Sequence, residues 1–165
     1  MSIQAAATTL APAAIGARVV ASIVDGVILW IILSIVGGIV SDVTVVGTFI
    51  RAIISTLMVF GYFGYSWTAW RASLGQRLLG LMTVNEADGA ALTWSGATVR
   101  FAYLFGPIVL YFLISTSQLG LLKFFAALVA IGYYVYLVYA AATDPRKQGF
   151  HDRQSRTSVI AKRTA

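Results

Sequence analysis

Apolar residues run in long blocks along this chain, and short polar segments separate them. A membrane-crossing helix takes about 20 mostly apolar residues. Four stretches meet or approach that length: 17–40, 47–70, 98–115 and 121–142. The first is interrupted by Asp25 and opens on Arg18. The second carries Arg51 near its start and Trp67 and Trp70 at its far end, where amphipathic rings favour the membrane interface. The last two come from one apolar block, 101–143, which is too long for a single span. Ser115, Thr116, Ser117, Gln118 and Gly120 break it, and this polar group predicts a short turn. Pro107 in the shorter third span predicts a kink or tilt.

The 71–100 connection has a pattern of its own. Leu74, Leu78 and Leu81 recur at helical spacing, which predicts a short helix on the membrane surface. Two apolar runs, 81–84 and 90–93, flank Asn85-Glu86-Ala87-Asp88-Gly89 and predict a small β-hairpin. The expected fold is an all-α membrane protein, a four-helix transmembrane bundle with an interfacial helix and a hairpin between spans 2 and 3. Residues 1–14 read as a flexible arm, 15–160 as one domain, and 161–165 as a basic tail. Residues 1–17 hold no Lys or Arg, and the first apolar stretch is too long for a secretory h-region, so no cleaved signal is expected.

Composition agrees with the pattern. Of 165 residues, 59% are hydrophobic and 11% charged, against about 25% charged in soluble domains. Mean hydropathy is +0.83. Cysteine is absent and histidine occurs once, which removes disulfide, zinc and haem-attachment readings. The net charge of +6 is placed by topology rather than by nucleic acid. Ten of the twelve Lys and Arg residues fall in the N-terminal end, the 71–100 connection or the tail; only Arg51 and Lys123 fall on the other side. The positive-inside bias puts both termini in the cytoplasm.

Candidate chemistry gathers in two places. On the first helix, Arg18 and Asp25 lie two turns apart, about 10 Å along the axis, with Ser22 and Gly26 beside them. They are too far apart for a tight pair, so each needs a partner elsewhere. An Asp inside a span costs about 2.5–3.5 kcal/mol on insertion scales and should face the bundle or a wet cavity. Asp25 then has two readings: a proton or cation site, or half of a buried ion pair that fixes packing.

The second place is Asp144-Pro-Arg-Lys-Gln-Gly-Phe-His-Asp-Arg153, where the last span ends. An Arg18–Asp152 or an Arg100–Asp144 bridge fits this order. Arg146 and Lys147 read as topology signals and headgroup contacts, whereas Asp152 needs a cationic partner. His151 could titrate near neutral pH or serve as a surface or hydrogen-bonding residue, with Arg153 next to it. Ser22, Gly26, Ser34 and Gly38 recur at multiples of four residues, a spacing that lets helices approach closely. Tyr133, Tyr136 and Tyr139 share a face of the last span and read as a polar path lined by hydroxyls, or as a bundle seam or interface anchors. HExxH, GxSxG and P-loop patterns are missing, so no enzyme and no cofactor is expected.

Three segments together resemble the RDD family of small bacterial membrane proteins, named for an arginine and two aspartates. They are Arg18-Val-Val-Ala-Ser-Ile-Val-Asp25-Gly26, Ser73-Leu-Gly-Gln-Arg-Leu-Leu-Gly80-Leu, and Asp144 to Arg153, with Arg100 before the third span. The resemblance runs over roughly 14–160. It implies that Arg18, Asp25 and Asp152 are the name-giving residues, with Asp144 competing for the second aspartate. Gln76 stands where many members have Lys. The resemblance implies a bacterial inner-membrane protein with both termini in the cytoplasm and two possible activities. One is cation/proton antiport, with monovalent cations and protons competing for Asp25, Arg18 beside it, and Asp144 or Asp152 at the entrance. The other is a non-transporting assembly module that works through the cytoplasmic loop and charged tail. Expected partners are the lipid bilayer and either a second copy or another membrane protein, with no nucleic acid.

Overall fold

The computed structural model describes residues 11–40, 44–115 and 119–161. Four long helices cross one another as a bundle: α1 (Ile15–Ile39), α2 (Val45–Tyr65), α4 (Trp94–Ser115) and α5 (Gly120–Thr143). Each is long and apolar enough to cross a membrane, α2 together with a π-helical turn, Ser66–Trp70, that continues it. Their outward faces are apolar and bare: Trp30, Ile39, Val129 and Val135 are each more than 60% exposed. Water does not tolerate so much continuous apolar surface on a small protein, but lipid does. The polar break expected at residues 116–118 and the tail beyond residue 161 lie outside the described residues.

Packing follows from side-chain size. α2 packs on α4 and α4 on α5, whereas α1 meets α2 and touches α5 at few places. The core between α2 and α4 is aromatic. Phe60 meets Phe101 edge-on at 5.1 Å, and Phe105 lies 4.8 Å from Phe63. Trp67 is buried in this core rather than at the interface where its position suggested; Trp70 alone of the pair is exposed, with the Arg77 guanidinium 5.0 Å above its ring. The π turn accounts for the difference, because it rotates the end of the span before Arg71, at φ 58, stops it.

Pro107 lies inside α4. It has no N–H, so the carbonyl four residues back, Tyr103, loses its helical donor. The Tyr133 hydroxyl on α5 donates to that carbonyl, and Tyr134 donates to the next one, Leu104, at 2.9 Å. The tyrosine seam thus repairs α4 where lipid offers no donor.

The small-residue stripe on α1 is not used for close packing within the bundle. Nothing lies within 4 Å of a Cβ built at Gly26 or Gly38, and the Ser22 and Ser34 hydroxyls donate to their own helix at Arg18 O and Trp30 O.

One end of the bundle carries a polar cap built from four short elements in two stretches of the chain. These are α3 (Leu74–Leu78), β1 (Leu81–Asn85), then α6 (Phe150–Gln154) and β2 (Thr157–Ala161). Here the expected hairpin is corrected. β1 pairs antiparallel with β2, Leu81 opposite Ala161 and Asn85 opposite Thr157, not with residues 90–93. The Asp88-Gly89 turn does form, with Gly89 at φ 70 and Asn85 N bonded to Ala90 O at 2.9 Å. It closes at once, because Ala90, Ala91 and Leu92 carry no β-branched side chain, whereas β2 offers Thr157, Val159 and Ile160. The end of the expected N-terminal arm is pinned to the same strand: Pro12 bridges Ile160, Ala13 N donates to Val159 O at 2.9 Å, and Ala13 is fully buried. Residues 1–10 lie outside the described residues.

Helix α3 is more than an interfacial strip. Ser73 and Gln76 form a reciprocal capping box. Gln76 Oε1 accepts from Ser73 N at 3.0 Å and from Thr83 Oγ1 at 3.1 Å, roles that a Lys could not fill. Gly75 presses on α1: a Cβ there would lie 2.1 Å from the Ala21 carbonyl oxygen.

Candidate functional site

Asp152 is the third residue of α6, and its carboxylate accepts the Gly149 N–H at 2.9 Å at the helix start. This fixes the side chain where α1 and α4 can reach it. Arg18 Nη2 and Arg100 Nη1 each form an ion pair with it, and Asp152 is fully buried. Arg18 also donates to the Lys147 carbonyl. Arg100 also donates to Thr157 Oγ1 at 2.5 Å, and its guanidinium lies 5.1 Å over the Trp67 ring. Gln148 Nε2 holds the Thr157 carbonyl at 3.0 Å. A single carboxylate therefore ties α1, α4, α6 and β2 into a knot.

The charges in this knot explain its protonation states. Burial works against an ionised Asp152, but the Arg100 and Arg18 charges outweigh it and hold the carboxyl well below the usual carboxylate range. Burial also pushes the neighbouring His151 imidazole down, to about 3; Asp152 opposes that shift while both guanidiniums add to it. His151 is thus a neutral, buried ring with Nε2 3.3 Å from Asp152 Oδ1, not a surface group that titrates near neutrality.

Asp25 has a different environment. It is 3% exposed, and among the described residues its hydrogen bonds come from neutral donors. The Tyr62 hydroxyl donates to Oδ1 at 2.6 Å, Gly75 N donates to Oδ1 at 2.8 Å, and Ser73 Oγ donates to Oδ2 at 2.5 Å. The hydroxyl of Tyr62 accepts from Leu74 N at 3.1 Å and that of Ser73 from Gln76 N at 3.3 Å, which turns both hydroxyl protons toward Asp25. Among the described residues, no ion pair of the kind that was one reading of Asp25 is formed.

The remaining sequence candidates fall outside these two centres. Arg100 pairs with Asp152 and not with Asp144; Asp144 instead caps the end of α5 and accepts from Gln148 N at 3.0 Å. The tight turn that follows, with Lys147 at φ 55, directs Asp144 to its own backbone. Arg153 is exposed. Arg146 pairs with Glu86 at the surface. The sequence did not mark Tyr62 or Thr157, and it placed Trp67 at the interface rather than beside Arg100. It marked Ser73 and Gly75 only as part of a familiar segment. Their shared signal was Ser-x-Gly at a helix start, where a hydroxyl and a free N–H point the same way.

Between the two centres lies a cavity of about 410 Å3. Arg18, Asp25, Trp67, Ser73, Arg100 and His151 all line it, and Ser22 sits on its α1 wall. Asp25 and Arg100 thus line the same half-open cavity.

Four apolar spans capped by a buried Arg–Asp–Arg knot, with a second buried carboxyl facing a cavity, define a polytopic helical membrane protein. The profile of the RDD family matches residues 12–156. The chain belongs to the RDD family. No curated protein and no solved structure matches it.

Proposed function

We propose that this protein is a small cation/proton antiporter of the bacterial cytoplasmic membrane, with Asp25 as the shared site. The observation that carries the reading is the contrast between the two buried aspartates. Asp152 is neutralised by two arginines and built into the packing. Among the described residues, Asp25 receives neutral donors, and it lines a cavity.

A carboxylate without a bonded cation can take either a proton or a metal ion, and competition for one carboxylate is the simplest basis for exchange. Two of its three donors suit that role. The Tyr62 and Ser73 hydroxyls can rotate to offer lone pairs to a cation, while the Gly75 N–H stays a donor and keeps the carboxyl oriented. The Arg18–Asp152–Arg100 knot holds α1 against α4 while the site changes occupancy. Orientation follows the basic residues, with the polar cap and both termini on the cytoplasmic side. Four helices make a thin wall around a path, and a homodimer would thicken it.

The test is proton flux in proteoliposomes challenged with sodium, potassium or lithium, comparing wild type with Asp25→Asn. Cation-dependent flux lost in the folded variant supports exchange at Asp25. Absence of flux in the folded wild type overturns it and favours the assembly module acting through the cytoplasmic cap.

A further inference from the structure

The end of the second span carries a patch that cation exchange does not use. Trp70 closes the span and Arg71 follows it. The Arg77 guanidinium of α3 lies 5.0 Å over the Trp70 ring, and Tyr65 meets the same ring edge-on at 5.2 Å. Two arginines therefore flank one indole. Both are exposed, and neither is in an ion pair among the described residues. Residues 65–80 hold no Asp or Glu. Asp25 lies buried beneath α3, bonded to Ser73 and Gly75. Counted in full, it still leaves this patch net positive.

Apolar surface adjoins the two arginines. Leu78 on α3 is 73% exposed, and Leu74, Leu79, Tyr65 and Trp70 are exposed as well. Aromatic rings at the end of a span sit where acyl chains meet headgroups, and basic side chains at that level face lipid phosphates. The other basic residues of the cap lack this setting. Arg146 is paired with Glu86, and Lys147 Nζ donates to the Ala142 carbonyl at 3.1 Å. Arg153 and Arg156 are exposed, but no large apolar residue in 144–161 is exposed with them.

The backbone at Arg71 adds an independent observation. Arg71 stops the span at φ 58, a conformation that Gly adopts freely and a residue with a Cβ does not. Folding alone would favour glycine there. What Arg71 supplies is its guanidinium.

We propose that Arg71, Trp70 and Arg77 form a headgroup site for an anionic phospholipid in the leaflet at the capped end of the bundle. The phosphate is held by the two guanidiniums, and the acyl chains lie against the exposed leucines of α3. A guanidinium offers two parallel N–H groups to two phosphate oxygens, and stacking on an aromatic face leaves that edge available. The site does not depend on exchange at Asp25.

The experiment titrates the full chain in dodecyl maltoside with phosphatidylglycerol or with phosphatidylcholine of the same acyl chains, and resolves bound lipids by native mass spectrometry. The first phosphatidylglycerol should bind at least tenfold more tightly than phosphatidylcholine. Arg71→Gly and Arg77→Gln should each weaken it about fivefold, and together should remove the preference. Arg71→Gly suits φ 58, so it should melt no lower than wild type in lipid-free detergent. Arg153→Gln, on α6, should leave the preference in place. Equal binding of the two lipids, an unchanged preference in Arg71→Gly or Arg77→Gln, or an equal loss in Arg153→Gln overturns the proposal. A lower melting temperature in Arg71→Gly also overturns it, since Arg71 would then be structural. Tight binding of inorganic phosphate or poly-glutamate, with no preference between the lipids, overturns it too and makes the patch one for a soluble partner.

Discussion

Asp25 and Asp152 are both buried acids, yet substitution should separate them. Asp152→Asn leaves two buried guanidiniums short of a counter-charge, and breaking a buried pair this way costs about 3–5 kcal/mol. Folded yield in detergent should drop sharply, and thermal unfolding monitored by circular dichroism should shift down by many degrees. Asp25→Asn should be mild, with a loss of about 0.5–1.5 kcal/mol. Its amide oxygen can keep the bonds from Tyr62 and Gly75, and its amide nitrogen can donate to a Ser73 hydroxyl that turns over. Gly75→Ala tests the wall behind Asp25. The new Cβ would fall 2.1 Å from the Ala21 carbonyl oxygen, so α3 must move off α1. A loss of about 1–3 kcal/mol is expected, with the Asp25 site disturbed, and unfolding in the same assay checks it. At this scale the sequence was half legible. Asp152 was marked because an acid in a basic segment needs a partner, and Arg18 was within reach. The donors to Asp25 were not, since they come from residues 37 to 50 positions away on two other elements.

Among the elements, α4 depends on its neighbour. Pro107 takes a donor from the Tyr103 carbonyl, and Tyr133 replaces it across the α4–α5 seam. Tyr133→Phe should therefore destabilise by about 1 kcal/mol or more. Pro107→Ala returns the backbone N–H, and in that background Tyr133→Phe should cost close to nothing. Equal effects in both backgrounds, measured as a double-mutant cycle, would sink the repair reading. The four spans were readable because each is a local run of apolar residues about 20 long. The start of α4 was placed at residue 98 and lies at Trp94, since Thr93 caps the helix by accepting Gly96 N at 3.1 Å. The partner of β1 was unreadable for a different reason. Hairpin pairing is suggested by neighbours in sequence, and β2 lies more than 70 residues downstream of β1, where only tertiary packing selects it.

For the whole molecule, the polar cap makes stability depend on acid. His151 is held near 3 when folded, against an ordinary value of 6.5, so the unfolded chain binds the extra proton between those values. Stability is then lost as pH falls below about 6.5. Asp152 adds a loss of the same sign at lower pH, because its folded value lies below its ordinary one and the unfolded carboxylate protonates first. Melting temperature in detergent should fall from pH 7.5 to pH 4.5, and His151→Gln should flatten that slope. A slope unchanged by His151→Gln would remove His151 from the account. The same cap joins residues 11–14, α3, β1, α6 and β2, and so couples residues 11–14 and β2 to the buried Arg–Asp–Arg knot.

The central claim is that Asp25 is exchangeable while Asp152 is a structural pin, and proton flux across proteoliposomes tests it most directly. Wild type and Asp25→Asn would be reconstituted at equal folded amounts, with a pH-sensitive dye inside and pulses of sodium, potassium or lithium outside. A charge-preserving exchange, Arg18→Asp with Asp152→Arg, would be carried alongside. The account predicts cation-driven pH change in wild type, none in Asp25→Asn, and flux in the exchanged pair in proportion to its folded fraction. Flux retained in folded Asp25→Asn, or absent from folded wild type, would contradict it.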